Sequence, residues 1–112
     1  MKIKNLIFVK KLMDTRLIQS IRSYFSGQPI EKAWLFGSMS RGEDTSRSDV
    51  DILVQFDADK PIGLLKHASM ISDLEAILKR SVDLVSESAL FPWVKESVDN
   101  DKILIYGRKT TR

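Results

Sequence analysis

The chain of 112 residues contains no cysteine, which excludes a disulfide framework and a thiolate metal site and fits a reducing, cytoplasmic setting. Long apolar runs are missing as well. The N-terminal "MKIKNLIFVKKLMD" offers only Leu6 to Val9 before Lys10 and Lys11, too short for a secretory core or a membrane span. No membrane association is expected. Histidine occurs once, as His67, inside a predicted helix, where it reads as a half-exposed structural residue rather than a catalytic base. No repeat, linker or low-complexity block is visible. The length suits one domain, residues 1–112 with 1–13 as an N-terminal extension, and leaves no room for a second module.

What is present is an ordinary globular composition, 43% hydrophobic and 29% charged. The formal charge is +3, with Lys2, Lys4, Lys10, Lys11 and Arg16 near one end and Arg108, Lys109 and Arg112 near the other. These basic ends read as solvated, and direct nucleic-acid binding is not expected.

Periodicity gives the elements. Asp14 or Thr15 can cap a helix with apolar positions Leu17, Ile18, Ile21, Tyr24 and Phe25, ended by Gly27 and Pro29. "KAWLF" (Lys32 to Phe36) reads as a strand stopping at Gly37, and a polar loop runs from Ser38 to Ser48. From Val50 the period is two: Val50, Ile52, Val54 and Phe56 face the core, while Asp49, Asp51, Leu53 and Gln55 face away. Asp59 and Pro61 open a long helix with Leu64, Ala68, Ile71, Leu74 and Leu78 on its buried stripe, closing near Arg80. "SVDLV" (Ser81 to Val85) is a third strand, Pro92 starts a last helix, and "KILIYG" (Lys102 to Gly107) is a final strand. The fold class is α/β in the broad sense (α+β): a mixed sheet of about four strands flanked by helices. Tyr24, Trp34 and Trp93 read as core or interface residues, and Lys66 and Lys79 as a solvated helix face.

One stretch, "LFGSMSRGEDTSRSDVDILVQF", does not suit packing alone. Aspartates at i and i+2 on a strand put both carboxylates on one side of the sheet, about 7 Å apart at the backbone. Like charges so placed repel, and a divalent cation removes the conflict. Oxygen ligands without cysteine favour Mg²⁺ or Mn²⁺ over zinc. Gly37 and Ser38 can cradle phosphates, glycine by close backbone approach and serine through its hydroxyl and N–H. Arg41 and Arg47 can add positive charge. Asp83 interrupts an apolar strand, and if that strand neighbours the one beginning at Val50, three acids meet at one edge. Such a group suits a two-metal centre for phosphoryl or nucleotidyl transfer, with Asp83 helping to hold the metal that activates the incoming hydroxyl.

The stretch "GSMSRGEDTSRSDVD" resembles the signature of the polymerase-beta-like nucleotidyltransferase superfamily: a Gly-Ser pair, ten intervening residues, then Asp-x-Asp. With Arg41-Gly42, "SDVDILV" and the later "VDLV", the chain is similar to the minimal nucleotidyltransferase (MNT) family. The resemblance implies a nucleotidyltransferase fold, with Gly37 and Ser38 on the triphosphate, Asp49 and Asp51 on two Mg²⁺ ions and Asp83 as third acid. It also implies an antitoxin that moves AMP from ATP to a tyrosine hydroxyl of a HEPN-domain toxin, so a hetero-oligomer with that partner is expected. Two other readings stay open: an antitoxin that neutralises its toxin by binding alone, and a transferase acting on a small molecule. The extension "MKIKNLIFVKK" has no counterpart in the signature.

Overall fold

The computed structural model describes residues 15–37, 40, 42, 49–60 and 62–108. In chain order these form α1 (Thr15–Phe25), β1 (Ile30–Phe36), β2 (Val50–Phe56), α2 (Leu64–Leu78), β3 (Val82–Ser86), a 3-10 turn (Glu87–Ala89), α3 (Pro92–Asp101) and β4 (Ile103–Gly107). The extension 1–13 lies outside the described residues. The sheet order is β3-β2-β1-β4; β1 runs antiparallel to β2 and β4, and β2 runs parallel to β3. This is the mixed α+β sheet that the alternating periods predict.

One face of the sheet carries the main core. Ala33 and Leu35 of β1, Val50, Ile52 and Val54 of β2, Val82 and Leu84 of β3 and Ile105 of β4 pack with Ile21 and Phe25 of α1 and Met70 and Leu74 of α2. In β2 and β3 the contributing residues recur at the two-residue period of a pleat, and in β1 Ala33 and Leu35 follow it after a register irregularity between Ile30 and Lys32. Past Phe25, the Gly27 and Gln28 amides bond back to the carbonyls of Tyr24 and Phe25, and Pro29, which has no amide proton, follows.

The long helix departs from its predicted stripe. Met70 and Leu74 are its fully buried residues, Ile71 and Leu78 pack beside them, and Leu64 and Leu65 are 85% and 86% exposed. Ala68 is exposed too. At the start of α2 Leu64, Leu65 and Lys66 lie in solvent, while His67 turns to the sheet, with its ring 5.8 Å from that of Phe56. At its other end Lys79 adopts a left-handed conformation (φ 58°) and its amide bonds the Glu75 carbonyl at 2.8 Å, which ends the helix.

The opposite face is less bare than alternation suggests. Leu53, expected to face away from the core, is fully buried, and so is most of Val98 from α3; both stand outside the main cluster. Leu53 is in register with Trp34, and the Lys102 ammonium sits 4.4 Å from the centre of the Trp34 ring. Lys102, which caps α3, thus lies over this face. Trp93 stands outside the core: it is 75% exposed and stacks on Phe91 at 4.8 Å.

Arg108 is not a solvated end. Its guanidinium donates to Asp57 Oδ2 at 2.6 Å and to the Gln28 carbonyl at 2.7 Å, and its amide bonds the Glu31 carbonyl. Asp57 is buried, and a buried carboxylate requires a cation, which is the reason the chain folds back on itself here. His67 is the structural residue expected, half-exposed, donating through Nε2 to the Leu84 carbonyl at 2.7 Å.

Candidate functional site

The candidate acids gather where β1 ends and where β2 and β3 begin. Val50 donates its amide to the Ser81 carbonyl at 2.9 Å, which sets the parallel register. Asp51 then stands directly beside Asp83. Neighbouring strands lie about 4.8 Å apart and paired positions share a face, so the two carboxylates rise from the same side of the sheet. Asp49, two residues before Asp51, continues that side at the strand's start. Asp49 and Asp83 are exposed and Asp51 is half-buried.

Gly37 closes the site from the β1 side. Phe36 is the register partner of Asp51, so the residue after Phe36 meets the Asp51 side chain. Gly37 has φ +75°, and a Cβ placed there would overlap Asp51 Oδ2 and lie 3.2 Å from its Cγ. Only glycine suits both demands. The turn is held by Ser40, whose hydroxyl donates to the Gly37 carbonyl at 2.8 Å. Sequence reading gave Ser40 no part, because a hydroxyl reaching back three residues leaves no pattern distinct from ordinary loop polarity.

Of the predicted site residues, Gly37, Asp49, Asp51 and Asp83 are thus brought to one edge. Ser38, Arg41 and Arg47 lie outside the described residues. Among the described residues, no group of three or more histidine, cysteine, aspartate or glutamate side chains converges closely enough to hold an ion. The acids share a face and an edge without closing into a cage. No helix of the described residues is long and apolar enough to cross a membrane.

A mixed sheet with in-register aspartates at one end and a glycine turn against them defines a nucleotidyltransferase fold. The sequence matches the family described as "Polymerase beta, Nucleotidyltransferase" across residues 19–111, and the chain belongs to that family. It is 38% identical over 76 residues to protein adenylyltransferase MntA of Thermococcus cleftensis, covering 68% of this chain and 75% of the relative. Two solved structures share the fold. A toxin-antitoxin complex with AMP-PNP superposes with a TM-score of 0.70 at 21% identity, over 82% of this chain and 74% of that one. The Shewanella oneidensis complex of a tri-AMPylated HEPN toxin with its MNT antitoxin gives 0.60 at 20% identity, over 88% and 72%.

Proposed function

We propose that this nucleotidyltransferase transfers AMP from ATP to a hydroxyl of a partner protein, a tyrosine of a HEPN-type toxin, releasing pyrophosphate and acting as the toxin's antitoxin. The observation that carries it is the register pair Asp51 and Asp83 beside the Gly37 turn. The adenylyltransferase name of the Thermococcus relative and the AMPylated toxin in the Shewanella complex point to the same donor and acceptor class.

The donor set fits Mg²⁺, because three carboxylates offer hard oxygen ligands and the site has no thiolate. Asp49, Asp51 and Asp83 would hold it, and bound Mg²⁺ would offset phosphate charge. Gly37 allows close approach of the triphosphate, with Ser38 donating to it and Arg41 and Arg47 adding charge. The acceptor oxygen bonds to the α-phosphorus as the bond to pyrophosphate breaks, a step in which positioning does most of the work.

The test is incubation of the purified chain with Mg²⁺, ATP and the candidate toxin, followed by intact mass spectrometry of both proteins. Added AMP on the toxin, absent with the Asp49→Asn/Asp51→Asn double variant, supports transfer; an unmodified toxin overturns it. The open arrangement of the acids favours one second reading, in which the chain neutralises its partner by binding and the site senses nucleotide. Neutralisation that survives the double variant would support that reading.

A further inference from the structure

Away from the acid edge, the described residues hold one phenol paired with a carboxylate across a helix junction. Tyr24, in the last turn of α1, donates its hydroxyl to Asp73 Oδ2 of α2 at 2.6 Å, at the protein surface. The tyrosine opens on a recess of about 620 Å³ lined by Arg16, Gln19, Ser20, Ser23 and Ile77. The other tyrosine, Tyr106, instead packs edge-on against Phe25 at 5.9 Å, beside the core.

A phenol already bonded to a carboxylate is a nucleophile with its base in place, because the proton can pass along the existing hydrogen bond as the oxygen reacts. Burial, then the hydrogen bond and charge of Asp73, pushes the Tyr24 hydroxyl above its ordinary value. The group therefore stays protonated until bond formation begins, and Asp73 is needed to accept the proton.

Geometry decides whose active site can reach it. α1 and α2 cover the face formed by Val50, Ile52 and Val54, whereas Asp51 and its register partner Asp83 alternate to the other face. A molecule cannot bring its own Tyr24 to its own acids. We propose that Tyr24 is an acceptor for AMP delivered by a second copy of this chain, with Asp73 as the base.

The proposal rests on the adenylyl-transfer reading above. Tyr24 Oη forms a bond to the α-phosphorus of ATP, the bond from that phosphorus to pyrophosphate breaks, pyrophosphate leaves with the electron pair, and the phenolic proton passes to Asp73. Arg16, on the rim of the recess, supplies a cation for the new phosphodiester. The product lacks the O–H that joined α1 to α2 and sets a negative phosphate beside Asp73, so modification loosens that junction.

The test mixes a Tyr24→Phe chain, as enzyme, with the Asp49→Asn/Asp51→Asn chain, as acceptor, in Mg²⁺ and ATP, and maps adducts by intact mass and peptide sequencing. One AMP on Tyr24 of the acceptor is expected, at a rate about 10²-fold lower when the acceptor also carries Asp73→Asn. Wild-type chain alone should become labelled at Tyr24 at an initial rate that rises with the square of protein concentration. The candidate toxin serves as a parallel acceptor. A modified toxin with a bare Tyr24 overturns this inference and leaves the transferase reading intact; no AMP on either protein overturns both. AMP on Ser20 or Ser23 instead overturns the assignment to Tyr24.

Discussion

Gly37 and Asp51 meet so closely that the space where a Cβ would stand is taken by the Asp51 carboxylate. A side chain at position 37 must displace that carboxylate, which is the flexible end of its residue and can swing away. Gly37→Ala should therefore fold, losing about 1–2 kcal/mol for the left-handed backbone. Transfer should fall by at least about 10²-fold, the cost of misplacing a group at a reacting centre. Urea denaturation and initial rates on the same preparation check both halves. Unchanged turnover would show that Asp51 does not act where the site is drawn.

Asp83 is exposed and stands level with Asp51. Asp83→Asn removes one of two neighbouring like charges, so the denaturation midpoint should hold or rise. Transfer should drop and should need more Mg²⁺ to reach half its maximum, and chelation with EDTA should abolish it in the wild-type chain. A Mg²⁺ titration that is the same for both chains would remove Asp83 from the metal set.

Arg108 is the cation of the buried Asp57 carboxylate. Arg108→Ala should lower the unfolding midpoint without changing the Mg²⁺ requirement, because it strands a charge away from the acid edge. Adding Asp57→Asn to that variant should recover part of the loss. A double-mutant cycle gives the coupling directly, and strict additivity would mean that the pair contributes nothing.

Within α2, Met70→Ala should cost about 2–5 kcal/mol because Met70 is fully buried. Leu64→Ala should stay within about 0.5 kcal/mol because Leu64 is almost wholly exposed. Chemical denaturation of the two variants is sufficient. Equal losses would mean that something covers the first turn in solution.

Tyr24 gives the alkaline limb. Its hydroxyl titrates higher folded than unfolded, through burial first and Asp73 second, so its contribution is complete below the unfolded value of about 10 and is lost as pH rises beyond it. Stability should decline above that pH, and Tyr24→Phe should flatten the decline. Parallel curves for the two proteins would remove Tyr24 as the cause.

The elements were legible because local spacing reports local structure. The two-residue period of Val50, Ile52 and Val54, and the helical spacing of Ile21 with Phe25, each mark the side turned inward. For α2 the spacing located the helix but not its footing, since Leu64 and Leu74 look alike until the helix is docked on the sheet. Leu53 does face away from Ile52, yet it is buried. Alternation gives the side a residue faces and cannot say whether that side is covered.

For the site, the ingredients can be read directly from residue order: a glycine, two aspartates two residues apart, and a third acid within an apolar strand. Chemistry is a property of residue type and short spacing, and both are written along the chain. The packed fold places β3 next to β2, which turns Asp83 from an isolated acid into the register partner of Asp51. It alone decided that Gly37 abuts Asp51, that Arg108 crosses 51 positions to reach Asp57, and that Tyr24 meets Asp73 across two helices. Strand order and helix docking are set by the burial of many side chains at once, and no single stretch of sequence carries that sum.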